Sequence, residues 1–181
     1  MRDSLFFLIR VFSHLYLLLF LLRFIMQWVR ADFYNPLAQF IVRATNPLVI
    51  PARRIIPASA SIDVPTLVVL LVLQGAATWL LLSVASVPTD ALQIIEFAFL
   101  RLITLTLSLY TWTILVQVIL SWVSPGGYHP LGMILGELNE PVLRPIRRIL
   151  PPISGLDLSP LLAVILIQAV SLAIPLPNLL R

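Results

Sequence analysis

The sequence predicts an all-α membrane protein of four transmembrane helices arranged as two tandem parallel repeats, and three observations predict it. Apolar residues fill 60% of the 181 positions and charged residues only 11%, whereas soluble domains carry roughly 25% charge. Mean hydropathy is +1.01, and the apolar runs reach the roughly 20 residues that a helix needs to cross a bilayer. The third observation is an internal repeat. "NPLVIPARRIIP" at 46–57 returns as "EPVLRPIRRILP" at 140–151, an offset of 140 − 46 = 94.

The elements follow in order. The first span covers about 5–29; its positive start imitates a signal peptide, but the run is too long and lacks a small-x-small exit. It reads as a retained span. The second covers about 64–87. The third covers about 103–123, with 94–101 as an interfacial lead-in because Glu96 and Arg101 are expensive at mid-bilayer. The fourth covers about 157–175 and fades at Pro175 and Pro177, which cannot continue a helix.

The repeat divides the chain into units of 1–90 and 91–181, each holding two spans. Without a gap, Tyr16 maps to Tyr110, Trp28 to Trp122, Tyr34 to Tyr128 and Pro36 to Pro130. The register continues through Pro47/Pro141, Pro51/Pro145, Arg53/Arg147, Arg54/Arg148, Pro57/Pro151, Asp63/Asp157 and Gln74/Gln168. Chance would align about 0.4 Pro pairs over roughly 60 positions, a repeat test best applied first. Four align.

Two spans per unit return the chain to its starting side, so the units are parallel rather than inverted. Arg sets the orientation, since Lys is absent. The two long loops carry Arg30, Arg43, Arg53, Arg54, Arg144, Arg147 and Arg148; the opposite side carries Arg2, Arg10, Arg101 and Arg181. The positive-inside rule makes the long loops cytoplasmic and places both termini outside.

Each long loop reads as two short amphipathic helices. In the first copy Asn35-Pro36 opens one, with Leu37, Phe40, Ile41 and Ala44 in line. Asn46-Pro47 then reads as N-cap and first position of another, with Leu48, Ala52, Ile55 and Ile56 opposite Arg53 and Arg54. Pro51 is expected to weaken its first turn. The second copy places Leu131, Ile134, Leu135 and Leu138, then Val142, Ile146, Ile149 and Leu150, opposite Arg144, Arg147 and Arg148. Pro57 and Pro151 end the hairpins. Such segments lie in the interface with Arg toward the headgroups or re-enter the bilayer under protein cover. Trp28, Tyr34, Trp122 and Tyr128 mark the same interfacial depth.

These residues together resemble the YGGT family of bacterial membrane proteins, also called YlmG in Gram-positives and plastids. "EPVLRPIRRILPPISGLDLSP" is the most specific part, and the first copy departs from it at Ile50, opposite Arg144, and at Val64-Pro65-Thr66. The resemblance implies a multi-pass protein of the bacterial inner membrane. It also implies links to osmotic or potassium tolerance, or to cell division; plastid relatives are implicated in cytochrome complex assembly and nucleoid distribution. It implies no enzyme activity.

Five arginines are the leading candidates for function: Arg53, Arg54, Arg144, Arg147 and Arg148. They serve topology and snorkelling, or they clamp an anionic lipid or partner through bidentate contacts that Lys cannot make. Asp63 and Asp157 cap the following spans or pair with the Arg doublets. Gln74 and Gln168 staple neighbouring helices or line an ion path. His14 and His129 fall on opposite sides of the membrane, which argues against a shared haem or metal. The chain has no Cys, so disulfides, thiolate zinc and Fe–S ligation are excluded. It also has no nucleophile triad, metalloprotease helix or phosphate loop. No cofactor is expected. The pI near 10.3 points to anionic headgroups rather than nucleic acid, because the arginines flank apolar runs.

Two functions are compatible with this pattern. One is a non-enzymatic scaffold or assembly factor whose hairpins bind anionic lipid and a membrane-protein partner or second copy. The other is an ion or osmolyte channel. A channel would show polar residues recurring along one face of several spans, and the second span of each repeat offers essentially one Gln.

Overall fold

A computed structural model describes residues 2–56, 63–123, 129–150 and 157–180. Among them there are six α-helices and no strand: α1 Arg2–Trp28, α2 Pro36–Ile55, α3 Val64–Ala85, α4 Ala91–Val123, α5 Pro130–Ile149 and α6 Ser159–Ala173, followed by a 3-10 turn at Asn178–Leu180. Three of them, α1, α3 and α4, are long and apolar enough to cross a membrane. The expected hairpin stops at Pro57 and Pro151, Tyr128 and Arg181 lie outside the described residues.

Local chemistry explains where each helix begins and ends. α1 contains no Pro or Gly and closes in a Schellman turn: Arg30 adopts φ 58° and the Ala31 amide donates to the Met26 carbonyl at 2.8 Å. α3 closes the same way, with Ser86 at φ 53° and Val87 donating to Leu82 at 3.0 Å. α4 opens on a reciprocal capping box. The Gln93 amide donates to the Asp90 carboxylate at 2.7 Å, and the Asp90 amide to the Gln93 side chain at 3.2 Å. α6 stops at Ala173 because Ile174 precedes Pro175 and takes an extended backbone.

Two expectations need correction. Each long loop forms one continuous helix rather than two, and Asn46-Pro47 starts nothing: Pro47 and Pro51 lie inside α2, Pro141 and Pro145 inside α5. All four prolines are exposed. In α2 the carbonyls deprived of a donor belong to Arg43 and Pro47, also exposed, where water or headgroups can satisfy them. Meanwhile Ala38, Ile41, Thr45 and Val49 bury one stripe on the bundle, and that packing outweighs the interrupted ladder.

The second correction concerns α4. It is a single 33-residue helix, about 50 Å long at 1.5 Å per residue, with no separate lead-in. Arg101 sits inside the bundle rather than at its edge, donating to the Thr78 hydroxyl at 2.9 Å. The side chain faces an interior shared with Gln74, Thr104 and Ser108 rather than lipid. The fourth apolar segment falls where the sequence put it, within 157–175, and is shorter than the other three. α6 has only 15 residues, about 22 Å of helix, short of the roughly 30 Å hydrocarbon core.

α1 packs on α3, α3 on α4, and α4 on α6, while α2 lies against α1 and α3 and α5 against α4 and α6. One core joins them, running through Phe20, Met26, Ile41, Leu70, Ile114 and Leu138. A smaller cluster of Leu81, Leu82, Leu176 and Leu180 folds the C-terminal turn across the far ends of the spans.

Candidate functional site

Each amphipathic helix is tied to the helix that follows it by an Arg–Asp bridge. In the first, Arg53 in the last turn of α2 donates to Asp63 at 2.8 Å. Asp63 also caps α3, accepting from the Thr66 amide at 3.4 Å and the Thr66 hydroxyl at 2.6 Å. Its carboxylate is fully buried. Burial pushes the Asp63 carboxyl up, but the Thr66 hydroxyl, Arg53 and the Thr66 amide together hold it below its ordinary range. In the second, Arg147 donates to Asp157 at 2.9 Å and to Glu140 at 3.0 Å, and the Ser159 amide donates to Asp157 at 2.9 Å. This set is partly exposed. Burial again opposes the charge on Asp157, while Ser159 and Arg147 outweigh it and hold the carboxyl low. Both aspartates therefore contact the start of the next helix and pair with the Arg ten residues earlier.

A second tie runs backward to the preceding span, through a residue that the sequence reading passed over. Arg23 of α1 donates to Thr45 at 2.6 Å, to Asn46 at 2.9 Å and to the Val42 carbonyl at 3.3 Å, and stands 3.9 Å from Asp63. Its place 94 residues on is taken by Gln117, which accepts from Asn139 at 2.7 Å, while Asn139 accepts from Thr113 at 2.7 Å. Positions 23 and 45 thus correspond to 117 and 139, a charged staple in one copy and an amide staple in the other. A lone Arg inside an apolar run was the available signal, since such residues are functional or structural by default.

Of the five arginines predicted, Arg53 and Arg147 are committed to these bridges. Arg54, Arg144 and Arg148 are exposed and form no ion pair among the described residues. Beside them the helices carry apolar groups that none of the described residues covers. Ile55 is 84% exposed and Ile149 82%. In α2 the buried stripe is not the one read from the sequence. Leu37, Phe40, Leu48 and Ile55 form an exposed stripe, displaced about a quarter turn from Ala38, Ile41, Thr45 and Val49 at 3.6 residues per turn. Arg43 and Arg54 lie about a further quarter turn beyond the exposed stripe, opposite the buried one. α5 is more enveloped: Ile134, Leu135 and Leu138 are buried, leaving Met133 and Ile149 exposed. The two helices meet, with Asn35 donating to the Pro130 carbonyl at 2.7 Å and the Asp32 amide to Glu137 at 3.1 Å. Trp28, Tyr34 and Trp122 are exposed.

The two glutamines do not share a role. Gln168 is exposed and donates to Thr111 at 3.3 Å, tying α6 to α4. Gln74 is buried, and its Oε1 has no partner. It lines a cavity of about 140 Å³ with His14, Arg101, Thr104 and Ser108. A second cavity of about 260 Å³ shares Thr104 and Ser108 and adds Thr111, Gln168 and Ser171. His14 lines the first cavity and His129 stands at the start of α5. No group of three or more metal-ligating side chains occurs among the described residues.

Comparison with known proteins gives one family. The model of CCB3/YggT matches twice, over residues 3–84 and 97–176, and the two matches begin 97 − 3 = 94 residues apart. The uncharacterized protein YggT of Escherichia coli strain K12 is 39% identical over 173 residues, 95% of this chain and 89% of that one. An uncharacterized protein of Pseudomonas aeruginosa is 39% identical over 170 residues, covering 93% of this chain and 86% of its own length. A Vibrio alginolyticus protein, described by its place in a proC 3′ region, is 44% identical over 172 residues, 92% of this chain and 90% of its own. No solved structure gives a significant match.

Proposed function

This chain belongs to the CCB3/YggT family, and from that premise we propose that it is a non-enzymatic membrane scaffold whose paired basic helices, α2 and α5, lie in the cytoplasmic interface and hold anionic lipid and a membrane-protein partner. One observation carries the reading. α2 has three separate faces: a buried one on the bundle, an exposed apolar stripe, and an exposed basic side bearing Arg43 and Arg54. A helix in water gains nothing from the exposed stripe, whereas a helix at a headgroup boundary uses all three. The bridges to Asp63 and Asp157 support it by fixing each helix to a span.

In this reading the chain has two tandem units, 1–90 and 91–181, each with two membrane segments. α6 completes the fourth segment with help from the residues around it, as a short span does by thinning the bilayer locally. The Arg bias places α2 and α5 on the cytoplasmic side of a bacterial inner membrane. A periplasm-active reporter fused at Arg181 should be active and one inserted in α5 silent; the reverse would move the basic helices to the outer leaflet. A role in osmotic stress or cell division fits such a scaffold and is testable by complementation.

The binding claim rests on Arg54, Arg144 and Arg148, each contributing about 1 kcal/mol toward an anionic leaflet. Native mass spectrometry of the protein with copurified lipid tests it. Changing the three to Gln should strip anionic lipid while insertion stays normal, and changing them to Lys should retain it if charge alone matters. Full retention of lipid and partners by the Gln variant contradicts the scaffold reading.

A second reading, an ion or osmolyte path, is favoured by one structural feature. α4 presents Arg101, Thr104, Ser108 and Thr111 toward the two adjoining cavities, joined there by Gln74 of α3 and Gln168 of α6. The four α4 residues recur at helical spacing along one face. Solute flux in reconstituted vesicles, absent or present above lipid background, decides it.

A further inference from the structure

The cavity between α1, α3 and α4 extends from Gln74, the eleventh of 22 residues in α3, to Leu180 of the C-terminal turn. Arg101 lines it and is 7% exposed. Its guanidinium donates to the Thr78 hydroxyl at 2.9 Å and pairs with no carboxylate among the described residues. A guanidinium offers five N–H donors and stays charged in proteins. Holding that charge buried within the bundle with one neutral acceptor is costly unless a counter-charge is supplied. No carboxylate among the described residues pairs with it there, and the charges of Arg101 and Arg10 both act on His14.

The remaining walls are donors or can become donors. Ser108 and His14 line the space, and each side chain has a polar hydrogen to offer. Gln74 is 2% exposed and its Oε1 is unpartnered. No hydrogen bond fixes which end of that amide faces the cavity, so its NH2 can turn inward. Thr104 is committed elsewhere, donating to the Leu100 carbonyl at 2.9 Å. Leu180 of the C-terminal turn completes the lining with an apolar surface.

We propose that this cavity is a binding site for a small monovalent inorganic anion, of which chloride is the simplest example, seated against Arg101 and held by Ser108, His14 and Gln74. One negative charge neutralises Arg101, as a low-dielectric site demands. About 140 Å³ is enough for a halide with water or for a small oxyanion. The site is separate from the basic helices and does not depend on the scaffold reading.

The test uses the full chain in lipid nanodiscs, with chloride as probe and gluconate replacing it at constant ionic strength. Chloride-35 NMR should show line broadening above that of empty nanodiscs, removed by bromide. Arg101→Gln should lower the apparent affinity at least tenfold, and Ser108→Ala several-fold with an unchanged circular dichroism spectrum. The Arg54, Arg144 and Arg148 triple change to Gln should leave the broadening in place. A cavity holding water alone predicts equal spectra for the unaltered chain and Arg101→Gln, and that result overturns the proposal. So does broadening that vanishes in the triple variant but survives in Arg101→Gln. Should Arg101→Gln fail to fold, Ser108→Ala decides, because unchanged chloride affinity in that folded variant also overturns it.

Discussion

Arg53 donates to Asp63 at 2.8 Å across the junction between α2 and α3, and the same relationship recurs between Arg147 and Asp157 at 2.9 Å. The two bridges differ in what else depends on them. Asp63 is fully buried and has buried Arg23 at 3.9 Å as well, whereas Asp157 is about as exposed as its partner.

That difference predicts unequal costs. Asp63→Asn leaves Arg23 buried without a carboxylate, the situation that typically costs about 3–5 kcal/mol. Asp157→Asn breaks a solvated pair worth about 1 kcal/mol or less. Denaturant unfolding in one detergent should separate them by at least about 2 kcal/mol. Equal losses would show that the buried network does not depend on Asp63.

The pH dependence follows from the same carboxylate. Folding holds Asp63 below its ordinary value of 3.8, so its contribution is complete above that value and is lost as pH falls through the lower folded one. Stability should therefore show no Asp63-dependent change between about pH 5 and 8 and should decline in acid below about 4. The acid decline should be shallower in Asp63→Asn. A loss centred near neutrality that disappears in Asp63→Asn contradicts the assigned direction.

The glutamines should also diverge. Gln168→Leu removes its bond to Thr111, and such bonds average about 0.6 kcal/mol in membranes. Gln74→Leu removes an acceptor with no partner, which is neutral or stabilising. Thermal unfolding in gluconate buffer reads both changes without anion in the cavity. A larger loss for Gln74→Leu than for Gln168→Leu would mean that its amide is bonded within the chain.

Much of this was legible in the sequence, for reasons that particular residues show. The repeat survives because Pro and Arg are rare enough in an apolar chain for their coincidence to carry information. Asn35-Pro36 marks the start of α2 because both its side chain and its ring favour a first turn. The continuity of α2 through Pro47 and Pro51 was not legible, because it depends on packing of Ala38, Ile41, Thr45 and Val49 against other helices. Arg101 was expected at an interface because a one-dimensional reading charges it the cost of lipid. Its real environment is a polar interior assembled from α1, α3 and α4. Arg23 was missed for the complementary reason: its partners Thr45, Asn46 and Asp63 lie 22 to 40 positions away, beyond any local pattern.

The claim at the centre of this account is that α2 and α5 lie in the membrane interface, and depth measured from Ile55 and Ile149 tests it most directly. A nitroxide at each position, in the full chain reconstituted into anionic vesicles, reports its accessibility to oxygen from the lipid side and to a nickel chelate from water. The account predicts that both labels sit about 5–10 Å below the headgroup boundary, at similar depth. Labels as accessible to nickel as a soluble loop, or labels near the bilayer centre, would contradict it.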